Sequence, residues 1–296
     1  SLEDARSHLR RLKAVGAFSV KSYNQPRREQ RQQVIQAARE LEMMVVPEGG
    51  SFFYHNMSMI LDGHTGIEHN IPVEPVYQDV ISLWKSSRTG YTPTLVVAYG
   101  SQSGQRYWYQ KDNVWENELL MHYTPRQIVD PVSRRRNMSP EDEYGHIQNA
   151  EVCKALSDAG VKVNIGGHGE MQGLAPHWEL WMLTQGGMSP MEALRSATAN
   201  GAAYLGMDQH LGSLRAGKLA DRIILNADPL ADIRNSINID KVMMNGRLYQ
   251  AATLDELGNH PQKRQPMYWR RGAGDETFML QQAVGESNPG CGCGRH

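Results

Sequence analysis

The sequence predicts an α/β fold: part of a (β/α)8 TIM-like barrel followed by a small β module. Three observations predict it. Short β-branched runs alternate with helical stretches from residue 18 to residue 169, a rhythm that implies parallel strands joined by crossover helices. Residues able to do chemistry recur at the C-terminal ends of those strands, the rim where barrel enzymes place their sites. Past residue 206 the texture changes to closely spaced strands and turns. That change marks a separate small sheet.

Composition narrows the class. The chain has 296 residues, 40% of them hydrophobic, with 31 basic and 32 acidic side chains and a net charge of −1. A balanced charge argues against a nucleic-acid-binding protein, which needs a basic excess. No apolar run approaches the ~18 residues of a membrane span. The twelve Tyr and six Trp, with 21% charged residues, are not the composition of a disordered chain. Three cysteines cannot build a disulfide framework, so the compartment stays open. A soluble globular protein with a small-molecule substrate is the expectation.

The elements follow in order. SLEDARSHLRRLKAVGAF opens the chain as the middle of an amphipathic helix, with Leu2, Ala5, Leu9, Leu12 and Val15 at helical spacing. With neither an initiator Met nor a signal peptide before it, the chain reads as a piece of a longer one. FSVKSY (18–23) is the first strand, and Pro26 opens a polar helix through residue 42. MMVVPEGG (43–50) is the second strand and TGIEHNI (65–71) the third. VEPVYQDVISLWKSS (73–87) is a helix, and TPTLVVAY (92–99) the fourth strand.

Residues 100–138 interrupt the rhythm with Tyr107, Trp108, Tyr109, Trp115, Tyr123 and the basic run Arg134 to Arg136. An insertion there is either an ordered lid over a site or a surface elaboration. Residues 139–160 form a helix with Ser139 as N-cap and Gly160 as stop, leading into KVNIGGHG (162–169), the fifth strand. Helices at 176–186 and 189–206 follow. GSLRAGKLADRIILNADPLADI and KVMMNGRLYQ read as strands, with Asn245-Gly246 as a hairpin turn. QQAVGESNPGCGCGRH closes the chain as a polar, glycine-rich tail.

Four residues fall at the same place on four strands: Lys21, Glu48, His69 and His168. A lysine inside a barrel must be neutral, paired or modified, because a bare buried ammonium is costly. It either pairs with a carboxylate or captures carbon dioxide as a carbamate, an anionic metal ligand. Glu48 in Pro-Glu-Gly-Gly is a ligand or a salt-bridging carboxylate. His69 in Gly-Ile-Glu-His can offer neutral imidazole to a metal. His168 in Gly-Gly-His-Gly has Glu170 two residues on and His177 nine on. Together they make the pattern of a metal or acid–base site. Cys153 reads as a buried inert thiol, Met57, Met59, Met182 and Met188 as core filler, and Cys291 with Cys293 and His296 as a weak metal candidate.

Downstream lies HWELWMLTQGGMSPMEALRSATANGAAYLGMDQHLGSLRAGKLADRIILNADPL. Its His-x-Glu-Leu helix, Ala-Thr-x-Asn helix, Gly-Ser-x-x-x-Gly-Lys-x-Ala-Asp run and Asp-Pro turn resemble the metal-dependent amidohydrolases, in the branch of imidazolonepropionases and Xaa-Pro dipeptidases. With the Lys21 and Gly-Ile-Glu-His strands the resemblance extends over about residues 5–250. It implies that the chain is the C-terminal part of such an enzyme, about strands 4 to 8 of its barrel. Lys21 matches the family's carboxylated strand-four lysine and His69 its strand-six histidine. Glu48 stands where the family has a strand-five histidine, and Gly-Gly-His168 where it has Gly-Thr-Asp. The family's strand-one His-x-His has no counterpart, and His168 or Glu170 is left for the proton-accepting role of its aspartate.

The resemblance therefore implies a hydrolase that cleaves an amide-like C–N bond through a metal-activated water. One or two divalent ions, zinc first, would be held by Lys21, Glu48, His69 and His168. His168 and Glu170 would be catalytic, and His177 would bind substrate. The other reading is a catalytically degenerate barrel kept for binding or scaffolding. The domain expectation is a partial barrel over 1–206 with its insertion at 100–138, half of a β-sandwich over 207–250, and an extension over 251–296. A homo-oligomer, or the absent N-terminal part of the same chain, would cover the open strand edges.

Overall fold

Ser1 opens the first helix, α1 (Leu2–Ala14), by a reciprocal box with Asp4: its hydroxyl accepts from the Asp4 amide and donates to the carboxylate. The computed structural model describes residues 1–267 and 269, except 24, 26 and 73. The glycine-rich tail with Cys291, Cys293 and His296 lies outside them. Leu9 of α1 is buried, and Leu2, Ala5 and Leu12 pack partly against the same cluster. Val15 is a correction: it falls past the helix end and is 82% exposed.

Four short strands follow, each separated from the next by a helix: β1 (Ser19–Ser22), β2 (Met44–Pro47), β3 (Gly66–Glu68) and β4 (Gly90–Thr92). The intervening helices are α2 (Arg28–Glu40), α3 (Phe53–Asp62) and α4 (Gln78–Ser87). β1 pairs with β2 in parallel, Lys21 opposite Val46, and β3 pairs with β4, Glu68 opposite Thr92. Parallel bridges from Glu48 to Glu68 and from Tyr91 to Val163 join these ladders into one series. Five parallel segments thus lie side by side in chain order.

The strand ends differ from the sequence reading. The fourth strand is Gly90–Thr92, not 92–99, because Pro93 has no N–H to continue the ladder. Beyond it Thr94 and Ala98 turn to positive φ. The third strand stops at Glu68, where His69 takes a φ of 70°. The fifth segment keeps one bridge, at Val163, before Gly166 and Gly167 bend the chain away. Ser139 is not an N-cap. Residues 141–143 form a 3-10 turn instead, and the helix α8 (His146–Asp158) starts only after Gly145.

The insertion holds three helices, α5 (Gly104–Lys111), α6 (Glu118–Tyr123) and α7 (Arg126–Arg134). Its aromatics face inward rather than over a site: Tyr107, Trp108 and Tyr109 are buried in the main core. They meet α9 (Ala175–Gln185) edge-on, Trp108 against Trp181 at 5.1 Å and Tyr109 against Trp178 at 6.0 Å. Met57, Met59, Met182 and Met188 are core residues, and Cys153 is buried with its thiol pushed well up by burial. The single helix read over 189–206 is two, α10 (Pro190–Ser196) and α11 (Ala199–Tyr204).

A four-stranded antiparallel sheet follows: β5 (Arg222–Leu225), β6 (Ile239–Met244), β7 (Arg247–Gln250) and β8 (Glu256–Leu257), in that order. Asn245 and Gly246, both at positive φ, make the β6–β7 turn. β5 is an edge, and Ile223 and Ile224 on it are 57% and 40% exposed. No helix among the described residues is long and apolar enough to cross a membrane.

Candidate functional site

The C-terminal ends of the parallel segments bring four of the expected residues together. Lys21 is on β1, Glu48 follows β2, His69 follows β3 and His168 follows the fifth segment. Glu48 is the centre. Its Oε2 receives the Lys21 ammonium at 2.6 Å and its Oε1 meets His69 Nε2 at 2.5 Å. Burial works against its charge, but Lys21 and His69 outweigh that and hold its carboxyl below the usual value. Gly49 lets the chain turn beside it: a Cβ there would stand 2.3 Å from the Glu68 carbonyl, to which the Gly49 amide donates.

Lys21 is not held in an apolar interior. Its side chain is 48% exposed, so the ammonium keeps water and pairs with Glu48. An ammonium has no lone pair for a metal; Lys21 would become a ligand only as a carbamate.

His69 is 4% exposed, and burial lowers its pKa against the opposing pull of Glu48. The neutral ring donates from Nε2 to Glu48, which leaves Nδ1 a lone pair. That buried Nδ1 has no hydrogen-bond partner among the described residues. The His69 ring lies 4.8 Å from Tyr99 and 5.0 Å, edge-on, from His168. His168, at a φ of 51°, faces Glu170 with Nδ1 to Oε1 at 3.4 Å. His177 is not brought to this cluster. It lies on α9, and its Nδ1 meets the Ser236 hydroxyl at 3.0 Å.

Sequence reasoning missed the residues that hold these loops. Asn70, 1% exposed, accepts from the Tyr99 amide at 2.6 Å and donates to the Tyr99 carbonyl at 3.0 Å. That two-point clamp sets the Tyr99 ring on His69. Glu179 of α9 is wholly buried and accepts from the Val96 amide at 2.8 Å. Its burial pushes its carboxyl up to about 7, while the Val96, Gly166 and Leu95 amides favour the ionised form. Through the Val96 amide this carboxyl holds the loop after β4, while its Oε2 is buried without a hydrogen-bond partner among the described residues. Burial raises the Glu68 carboxyl above its usual range, and Tyr204 donates to it at 3.1 Å. The signals were present in Glu-His-Asn and His-x-Glu, but an isolated Asn or Glu carries no spacing to distinguish it.

The donor types suit a divalent ion: a carboxylate and two imidazoles, one of which keeps an orphaned ring nitrogen. Their present spread is that of hydrogen bonds. Among the described residues no three His, Cys, Asp or Glu side chains stand where they would hold a metal together.

Residues 117–249 match the profile of the amidohydrolase family. The chain is similar to an imidazolonepropionase of Symbiobacterium thermophilum, 43% identical over 65 residues that cover 21% of this chain and 15% of that one. It is 38% identical to an ochratoxinase of Aspergillus niger over 172 residues, 54% of this chain and 36% of the relative. Among solved structures, a Xaa-Pro dipeptidase with bound methionine superposes with a TM-score of 0.61 at 24% identity, over 84% of this chain and 58% of that one. Molinate hydrolase superposes at 0.62 with 16% identity, over 86% and 56%. These structures speak to the fold. The chain spans less than two thirds of each of these relatives. Residues 117–249 of this chain thus resemble the amidohydrolase family, and the curated relatives it matches in part are named imidazolonepropionase and ochratoxinase.

Proposed function

We propose that the protein to which this chain belongs hydrolyses an amide-like C–N bond with the help of a divalent ion, zinc first. The observation that supports this reading is His69: a buried neutral imidazole, fixed through Nε2 by Glu48, with Nδ1 left unpartnered. Glu48, His69 and His168 would hold the ion, and Lys21 would join them as a carbamate. When bound, the ion supplies Lewis acidity toward a carbonyl and makes a nearby water acidic enough to react at neutral pH.

The chain's own residues supply the rest. Without the ion, the Lys21 ammonium keeps Glu48 ionised, and Glu48 fixes the His69 tautomer. Glu170, 3.4 Å from the His168 ring, would accept a proton and return it to the leaving nitrogen. Tyr99 closes one side of His69, and Asn70 keeps it there. The five parallel segments correspond, in this reading, to strands 4 to 8 of the barrel, and the sheet from β5 to β8 to the outlying module.

Zinc analysis of the purified protein, with turnover of N-acyl amino acids and dipeptides, tests the proposal. Stoichiometric zinc, with at least about tenfold weaker binding in His69→Ala, is expected from the loss of one ligand. Zinc-free protein whose turnover is untouched by His69→Ala would overturn it.

A second reading has its own observation: the site residues stand at hydrogen-bond rather than metal-ligand spread. A binding or scaffolding barrel would give zinc-saturated, folded protein with no turnover across the same panel.

A further inference from the structure

Beside the reactive cluster lies a cavity of about 690 Å³. Pro72 and Glu74 form one wall, Tyr99 to Gln102 a second, and Asp142, Glu143, Gly145, Gln148 and Asn149 the third. Tyr99 belongs to both places: its ring packs on His69 at 4.8 Å and also lines the cavity. A molecule seated there would reach the edge of the His69–His168 pair.

The chemistry of the lining is one-sided. Glu74, Asp142 and Glu143 are carboxylates, none with an ion-pair partner among the described residues, and no Lys, Arg or His lines the space. Neighbouring Glu141 is different, since Lys111 pairs with it. Glu74 already feels burial and the repulsion of Glu151, both of which raise its pKa. The second observation is independent of charge. Asn149 lines the cavity at 3% exposure, and its amide makes no hydrogen bond among the described residues. The Gln148 Oε1, also on this wall, is buried without a partner. Buried polar groups are almost always satisfied. The Asn149 amide, free of protein partners at 3% exposure, is left to bond a guest in the cavity, whereas the Gln148 Oε1 is closed off from it.

The start of α8 opens on the same cavity and would favour an anion. That pull is small at an exposed helix end. Three unpaired carboxylates around it outweigh it.

We propose that this cavity binds the cationic end of the substrate, an ammonium or guanidinium group carried a few bonds from the scissile C–N bond. The carboxylates supply charge, and the Asn149 amide oxygen accepts a remaining N–H bond. Tyr99 divides the bound cation from the reacting carbon, so the cavity selects substrates and His69 and His168 act on them. The inference rests on the hydrolase reading for its reaction but not for its binding.

Agmatine, which carries a guanidinium and an ammonium on one short chain, is the probe. It is titrated by calorimetry into the whole chain, stripped of metal, at low ionic strength. One-to-one binding with a Kd below about 1 mM is expected. Asp142→Asn with Glu143→Gln should weaken it about tenfold, because both groups are exposed and the variant keeps its fold, checked by its melting temperature. Glu74→Gln is the second variant, on the opposite wall, and should weaken it as well. Absence of agmatine binding, binding unmoved by either variant, or tighter binding of glutarate would overturn the proposal. Retained agmatine binding with no turnover of arginine amides in zinc would leave the cavity standing and remove the hydrolase reading.

Discussion

At the scale of single residues, the site depends on side chains that bond to backbone rather than to ligand. Asn70 satisfies both the amide and the carbonyl of Tyr99 from a position 1% exposed. Asn70→Ala leaves both unpaired, and the expected loss is roughly 1–3 kcal/mol in urea denaturation. Asn70→Asp keeps the acceptor and should recover part of it. Glu179 has a pH signature. Its folded pKa is about 7 against an ordinary 4.5, because burial favours the protonated form. The folded chain therefore holds this proton more tightly than the unfolded one. Stability from this group is whole below pH 4.5 and is lost as pH rises through 7. Glu179→Gln removes that loss, so the variant should gain on the natural chain between pH 5 and pH 8 in paired urea titrations. An unchanged difference would show that Glu179 does not titrate in the fold. Lys21, Glu48, His69 and His168 were legible because strand ends mark them. Asn70, Tyr99 and Glu179 were not, because their roles are set by contacts across the chain, from Asn70 to Tyr99 and from Glu179 to Val96.

At the scale of elements, the parallel segments were legible from alternation and their ends were not. Alternation reports which residues favour extended backbone, but a ladder stops where a donor is missing or φ changes sign. Pro93 and His69 supply those stops. The insertion illustrates the same limit. Its aromatic richness is visible in sequence, yet only packing decides that Trp108 turns to Trp181. Trp181 joins that core to the 3-10 turn at Ile233–Ile237, donating from Nε1 to the Ile233 carbonyl and the Ser236 hydroxyl, each at 3.1 Å. Arg234 lies over its ring at 5.0 Å. Trp181→Phe keeps most of the packing and loses the donor. A cost of about 1–3 kcal/mol is expected, with faster amide exchange confined to residues near 233–237. Exchange that rises evenly over the whole chain would show that the ring, not the donor, matters.

At the scale of the whole molecule, the two sheets carry different exposures. The parallel segments have helices between them, while β5 presents Ile223 and Ile224 on an edge of the outer sheet. Such an edge templates association with another chain. Ile224→Lys should lower light scattering of concentrated protein while leaving the melting temperature within about 2 °C, since a surface change is usually worth under about 0.5 kcal/mol. Equal scattering in the variant would clear this edge of the blame.

The order of the parallel segments has a consequence for how the site comes into being. Four of the five contribute their chemistry in chain order, so Lys21 meets Glu48, Glu48 meets His69, and His69 then meets His168. The first two closures each span roughly two dozen residues, a short loop with a small entropic toll. Assembly can therefore run in the direction of synthesis. In that order the Lys21–Glu48 pair would form first, and the last histidine would dock onto a cluster already begun.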